Sequence, residues 1–313
     1  MHGAASLKAE TNDSSTKLSF RERFMAWWEG YEPPPRDVPP AASAGTHQVR
    51  SAAAEQRWET TRLRLVQDVW GEGFSSPGDA EYVIDMAKVF GLDPAMSVID
   101  IGAGLGGATR TICEQFGVWV NGFEADKDLA EAAHAFTLKA GLAKKASIEL
   151  FDPDNFDRKP KSADCVFSKE FLYTVKDKKE FLKTIEKIMK SHGQLLFTDY
   201  VVSEPHLRND NIENWMDIEP NGAHPWAESE YRQGLADMHL DIQVVQDITD
   251  SFQKMVTGGW AAFTRTAQAN GLPPEMFPSL ADEIELWARR MQAIEAGDLK
   301  VCRMHALKSD ADV

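Results

Sequence analysis

No apolar run in this 313-residue chain reaches the length of a bilayer span, and its amino-terminal stretch lacks the apolar core of a secretory leader. Basic charge is also short. Against 49 Asp and Glu there are 34 Lys and Arg, a formal charge of -15, so no footprint for a phosphate backbone is expected and nucleic acid is disfavoured as a partner. Cysteine is scarce: Cys113, Cys165 and Cys302 fall in expected helix or strand rather than at metal-ligand spacing. That pattern suits buried thiols in a reducing, cytoplasmic setting and offers no metal site. What is present in quantity is hydrophobic residue, 43% of the chain, enough for one large soluble domain with insertions or a domain with a cap.

The most informative segment is Ser97 to Gly107, a short apolar run with an acid, Asp100, followed by glycine at 102, 104, 106 and 107. It reads as a buried strand stopping at a tight turn, where missing β-carbons let a ligand lie against bare backbone and a helix begins at Ala108. A second strand, Val118 to Phe123, ends at Glu124, where a carboxylate would accept both hydroxyls of a ribose. NAD enzymes and S-adenosylmethionine (SAM) enzymes share those two features. Asp100 separates them: a negative charge beside the turn repels a pyrophosphate but suits an amino group and a sulfonium. The expected cofactor is therefore SAM, with S-adenosylhomocysteine as product. A third strand, Ile148 to Phe151, is followed by Asp152, placed to accept from an adenine amino group, and Ala163 to Ser168 and Gly193 to Tyr200 read as a fourth and fifth. The expected cofactor set is Asp100, Gly102, Ala103, Gly104, Gly106, Glu124, Ala125, Asp152, Phe74, Ser75, Ser76 and Lys169.

Alternation of these strands with helices at Ala108 to Phe116, Leu129 to Ala140 and Lys178 to Met189 predicts an α/β fold, a doubly wound, seven-stranded Rossmann-like sheet. Ile242 to Ile248 and Lys300 to Leu307 are the expected closing strands, the second inserted antiparallel as a likeness to SAM enzymes of this architecture implies. Residues 1–55 are expected to be a flexible extension, 56–95 N-terminal cap helices (about Gln56 to Val69 and Ala80 to Phe90), and 96–200 the cofactor-binding core. Residues 201–230 form a substrate-cap insert, and 231–313 complete the sheet around a helical insert at about 249–297. Within the extension, Phe20, Phe24, Trp27, Trp28 and Tyr31 recur at helical spacing, predicting an amphipathic helix at about 18–31. It is open to three readings: docking on its own domain or on a second copy in a homodimer, a lid, or a peripheral membrane-surface anchor.

With these pieces placed, Gln56 to Lys308 resembles the class I SAM-dependent methyltransferases, and within them the phosphoethanolamine N-methyltransferase group. The resemblance is carried by Trp70-Gly71-Glu72-Gly73-Phe74 with Ser76 and Gly78, by Asp100 to Gly107, by Thr198-Asp199-Tyr200, by Gln246 to Asp250, and by the terminal strand. It implies that Phe74, Ser75 and Ser76 close over SAM. The group's tyrosine–histidine gate is replaced here by Trp58 and Thr174, and its phosphate-gripping Arg and Tyr by Asn221 and Ala223.

Methyl transfer from a sulfonium is an in-line displacement that asks mainly for alignment, and an amine acceptor need only be neutral when it attacks. Candidate catalytic groups are Tyr200, Thr174, Tyr173 and His224, with Glu170 and Asp199 as further proton acceptors; Trp58, Trp226 and Trp260 are candidate walls for a small-molecule acceptor. The expected activity is N-methylation of a small amine. The alternatives are O- or C-methylation of an apolar, lipid-like acceptor, or a catalytically silent SAM sensor.

Overall fold

The computed structural model describes residues 19–29 and 60–309. In chain order the elements are α1 (Phe20–Trp28), α2 (Thr60–Trp70), α3 (Ala80–Ala87), β1 (Ser97–Ile101), α4 (Gly107–Phe116), β2 (Trp119–Glu124), α5 (Lys127–Lys139), β3 (Ala146–Leu150) and β4 (Ala163–Lys169). They continue with α6 (Lys178–Ile188), β5 (Met189–Val202), α7 (Asp210–Ile218), β6 (Trp226–Ala227), α8 (Glu228–Asp237), β7 (Leu240–Asp247), α9 (Thr249–Asn270), α10 (Phe277–Glu295) and β8 (Leu299–Lys308). Helix starts are written locally: Asp79, Asp126, Asp177 and Asn209 each turn a side-chain oxygen onto the first free N–H groups of α3, α5, α6 and α7.

The sheet runs β3-β2-β1-β4-β5-β8-β7, with β1 to β5 parallel and β8 antiparallel between β5 and β7. The reversal follows from where the second insert leaves the chain. Leu299 enters the sheet opposite Val202, at the carboxyl end of β5, so β8 can only run back down. Seven strands were expected; the first insert adds β6, a two-residue strand beside Val201 and Val202, so this stretch is not wholly outside the sheet.

The two faces of the sheet follow the period-two alternation. In β5, Leu196, Tyr200 and Val202 pack with α2, α3, α9 and α10, whereas Leu195, Phe197 and Val201 pack with α6 and α8. The inserts lie over the carboxyl ends of β4 and β5: Tyr200 meets Trp215 of α7 and Phe252 of α9, with ring centroids 5.9 and 5.7 Å apart.

Helix α1 docks in cis. Phe20 and Phe24 are buried edge-on against Trp260 at 6.0 and 5.4 Å, and Gln268 donates to the Trp28 carbonyl at 2.6 Å. A nine-residue helix is marginal alone, and two buried phenylalanines, each contributing about 1.5–3 kcal/mol, are what hold it. Phe20 and Phe24, two of the aromatics on which the anchor reading drew, are thus turned inward, and the Trp27 side chain lies outside the described residues. Leu18, Tyr31, Trp58 and the Pro33 to Ser51 linker lie outside the described residues. Among the described residues, no helix is long and apolar enough to cross a membrane, and no group of three metal-ligating side chains gathers.

Candidate active site

The turn after β1 is built as its glycines suggest. Gly102, Gly104 and Gly106 have φ of 76°, 55° and 75°, left-handed values that glycine adopts without strain. A β-carbon on Gly102 would lie 2.4 Å from the Phe171 ring, and one on Gly104 would lie 2.7 Å from Ser75 Oγ. The loop from Trp70 to Asp79 covers the turn: Phe74 packs on Gly107, Ser75 lies over Gly104, and the Gly73 N–H donates to Gln67 at 3.0 Å. Phe74, Ser75 and Ser76 are therefore gathered around the turn, together with Gly102, Ala103, Gly104 and Gly106.

Glu124 sits at the tip of β2 and accepts from the Gly104 N–H at 2.6 Å on one oxygen and from the Asp126 N–H at 2.8 Å on the other. Each oxygen keeps a further lone pair, which a pair of ribose hydroxyls would fill. Burial pushes its carboxyl up to about 7 against the pull of those N–H donors. Asp100 is buried at the tip of β1 and accepts from Thr109 Oγ1 at 2.6 Å; burial raises it to about 6. It thus braces the start of α4. Ala125 follows Glu124 and is half-buried beside Phe151 and the aromatic cluster of Phe123, Phe156, Phe171 and Phe181. Asp152 is exposed, and both its oxygens are engaged in capping a short turn through the Asp154 N–H at 3.0 Å and the Asn155 side chain at 2.5 Å. Phe151 and Phe171, whose rings tilt together at 5.8 Å, are flat surfaces that the sequence reading missed.

At the tip of β4 lies a compact ion pair. Lys169 Nζ donates to Ser76 Oγ at 2.6 Å, to the Pro77 carbonyl at 2.7 Å and to Glu170 at 3.1 Å, fastening the covering loop to the sheet. Glu170 also accepts from Thr198 Oγ1 at 2.6 Å. Its φ of 46° is unusual for a residue with a side chain, a strain that the surrounding hydrogen bonds hold in place.

Beyond it is a second polar cluster. Arg290 of α10 forks onto Glu219, Nε to Oε1 at 2.5 Å and Nη2 to Oε2 at 2.7 Å. Glu219 also accepts from Trp215 Nε1 at 2.5 Å and from the Tyr173 hydroxyl at 3.0 Å. Tyr173 and Tyr200 meet edge-on at 5.0 Å, and Arg290 lies 5.6 Å from the centre of the Tyr200 ring. Burial drives both phenols well above their ordinary range, so they stay protonated at neutral pH.

Other candidate residues are engaged elsewhere or lie apart from this cluster. Thr174 directs its hydroxyl to the Phe171 carbonyl at 2.8 Å. His224 is exposed; its main chain, not its ring, is tied in, through its N–H to the Tyr173 carbonyl at 2.6 Å and its carbonyl to Lys178. Trp226 belongs to the opposite sheet face, edge-on to Tyr231 at 5.2 Å. Trp260 is buried in the helical cap among Phe20, Phe24, Trp70 and Phe263, with no hydrogen-bond partner for its indole N–H. Asp199 faces the α6–α8 side, accepting from the Tyr231 hydroxyl at 2.5 Å and from the Tyr173 N–H at 3.1 Å. Burial raises its carboxyl and lowers the Lys178 ammonium, each opposed by attraction to the other.

The fold and site together define a Rossmann-like nucleoside-binding domain whose glycine turn and buried carboxylates lie at the carboxyl ends of β1, β2 and β4. The methyltransferase domain family model matches residues 79–236, about half of the chain, and the chain belongs to that family. Phosphoethanolamine N-methyltransferase 3 of Arabidopsis thaliana is 26% identical over 202 residues, 64% of this chain and 40% of that protein. Norajmaline N-methyltransferase of Rauvolfia serpentina is 26% identical over 152 residues, 44% of this chain and 52% of that protein. This chain therefore spans well under two thirds of these relatives. Among solved structures, phosphoethanolamine N-methyltransferase 2 of Haemonchus contortus, in complex with SAM, superposes with a TM-score of 0.70 at 20% identity, covering 82% of this chain and 59% of that one.

Proposed function

We propose that the chain is a SAM-dependent methyltransferase acting on the amine of a small molecule. The observation that carries this reading is the charge enclosed at the strand tips and under the inserts. At the strand tips, among the described residues, the buried carboxylates Asp100, Glu124 and Glu170 share a single buried ammonium, Lys169, while under the inserts Glu219 and Arg290 balance each other. Buried charge of one sign is costly unless it is paired, so the surplus favours cationic ligands.

SAM supplies an electrophilic methyl group on a sulfonium. Toward it, Glu124 would accept the ribose hydroxyls, the bare turn at Gly102 to Gly106 would admit the nucleoside to the backbone, and Phe151 and Phe171 offer flat apolar surfaces. Lys169, its three N–H donors engaged by Ser76, Pro77 and Glu170, would hold the covering loop over the cofactor, while Glu170 would present its carboxylate to the acceptor amine and Tyr200 would close the acceptor side. The norajmaline relative, an N-methyltransferase by name, supports an amine acceptor.

Incubation of the protein with SAM and a panel of small amines, phenols and apolar acids, read by release of S-adenosylhomocysteine, tests the reading. Turnover is expected with amines; turnover confined to oxygen or carbon acceptors, or SAM binding without product from any class, contradicts it. Tyr200→Phe is expected to lower kcat while leaving the SAM dissociation constant within about twofold, a change well below the 1.4 kcal/mol of a tenfold effect. Equal losses in both would remove Tyr200 from the acceptor side.

SAM affinity is expected to depend on pH. Burial raises the Glu124 carboxyl to about 7 and that of Asp100 to about 6, so below neutrality these groups are increasingly neutral before ligand binds. A cationic ligand favours their ionised forms, so binding releases protons and tightens as pH rises. Calorimetry should show about tenfold tighter binding at pH 8 than at pH 6, flattening above. Constant affinity across that range would contradict the placement.

A further inference from the structure

The ion pair between α10 and the residue after α7 extends the amine reading, on which it rests, to the charge class of the acceptor. An arginine that forks with two parallel N–H donors is the group proteins use to grip phosphates and carboxylates. Arg290 has that geometry, at 2.5 and 2.7 Å, but its partner is Glu219 of the same chain. The pair lies among the side chains that wall the acceptor side: Arg290 Nη2 is 3.4 Å from the Tyr173 hydroxyl and its guanidinium 5.6 Å from the Tyr200 ring centre. Glu219 is held independently of any ligand, by the Trp215 indole N–H at 2.5 Å and the Tyr173 hydroxyl at 3.0 Å.

We propose that Glu219 is a specificity-determining residue: its carboxylate fills the anion position that Arg290 would otherwise offer, so the acceptor pocket excludes phosphorylated and carboxylated amines and admits amines without an anionic group. With Glu170 also present, an anionic acceptor would meet two carboxylates and no free guanidinium fork. Removing the Glu219 carboxylate exposes the fork and converts the pocket to one that takes anions.

The test compares wild type, Glu219→Ala and the double variant Glu219→Ala/Arg290→Met, each as the full chain and without methyl donor. The probes are inorganic phosphate and a phosphorylated amino alcohol, against chloride at matched ionic strength. The single variant is expected to bind the phosphorylated amino alcohol at least about tenfold more tightly than wild type, and its melting temperature to rise with phosphate concentration. Neither effect should appear in wild type or the double variant. Should Glu219→Ala not fold, Glu219→Gln carries the comparison in weaker form, since its amide removes the charge and leaves one of the two Arg290 donors without an acceptor. Anion binding by the single variant no stronger than by wild type, or equally strong in the double variant, overturns the proposal. Because the readout is anion binding without turnover, failure of the methyl-transfer reading appears separately, as absence of S-adenosylhomocysteine from wild type with the amine panel.

Discussion

Glu124→Ala is expected to weaken SAM binding by about 1.5–3 kcal/mol, roughly 10- to 150-fold in dissociation constant, the range for losing hydrogen bonds to a charged group. Two losses combine. The ribose hydroxyls lose their acceptor, and the turn loses the carboxylate that receives the Gly104 N–H at 2.6 Å and the Asp126 N–H at 2.8 Å. Glu124→Gln separates them. It keeps one carbonyl oxygen for a backbone N–H but turns an NH2 group toward the other, so it should fall between wild type and alanine. Calorimetry at pH 8, where the wild-type carboxyl is ionised, is the suitable measurement. Unchanged affinity in both variants would show that the β2 tip does not carry the ribose.

Arg290→Met should cost about 3–5 kcal/mol of folding stability, because it strands a buried carboxylate with only the neutral donors of Trp215 and Tyr173. Replacing both members is expected to be far milder. In Glu219→Leu/Arg290→Met the desolvation of two ions disappears along with their attraction, and buried ion pairs replaced by apolar side chains of similar size are often neutral in stability. Denaturant unfolding of the two single variants and the double variant would measure the coupling. Additive losses would mean that the pair seen between α10 and the α7 insert does not form in solution.

The parts of this molecule legible in its sequence are those whose signal is local. β1 and β2 are apolar runs with acids at or near their tips, and the glycines at 102, 104 and 106 mark a turn because only a residue without a side chain meets both the φ and the contact requirements there. Asp79, Asp126 and Asp177 announce helix starts for the same local reason. The closing strands themselves were legible as apolar runs, but the antiparallel direction of β8 followed from the resemblance and not from any local signal.

What was not legible depends on partners far along the chain. Nothing near Glu219 signals that Arg290, 71 residues later, will fork onto it. The one available clue is that Arg290 shares a helical stripe with Leu286, Trp287 and Ile294, an unusual place for a charge. Tryptophan carries an ambiguous signal, because a large aromatic serves equally as core and as pocket wall. Trp260 proved to be the pivot on which α1 docks, and Trp226 a packing residue on the opposite sheet face. The two-residue β6 carries no period at all and exists only because Val201 and Val202 extend past the end of β4.

The most direct test of the account is a crystal structure of the full chain soaked with S-adenosylhomocysteine. The predicted result is the nucleoside lying across Gly102 to Gly106 beneath Phe74 to Ser76, with both ribose hydroxyls on the Glu124 carboxylate. A crevice that stays vacant at saturating ligand, or a ribose held elsewhere with Glu124 still bound only to Gly104 and Asp126, would contradict it.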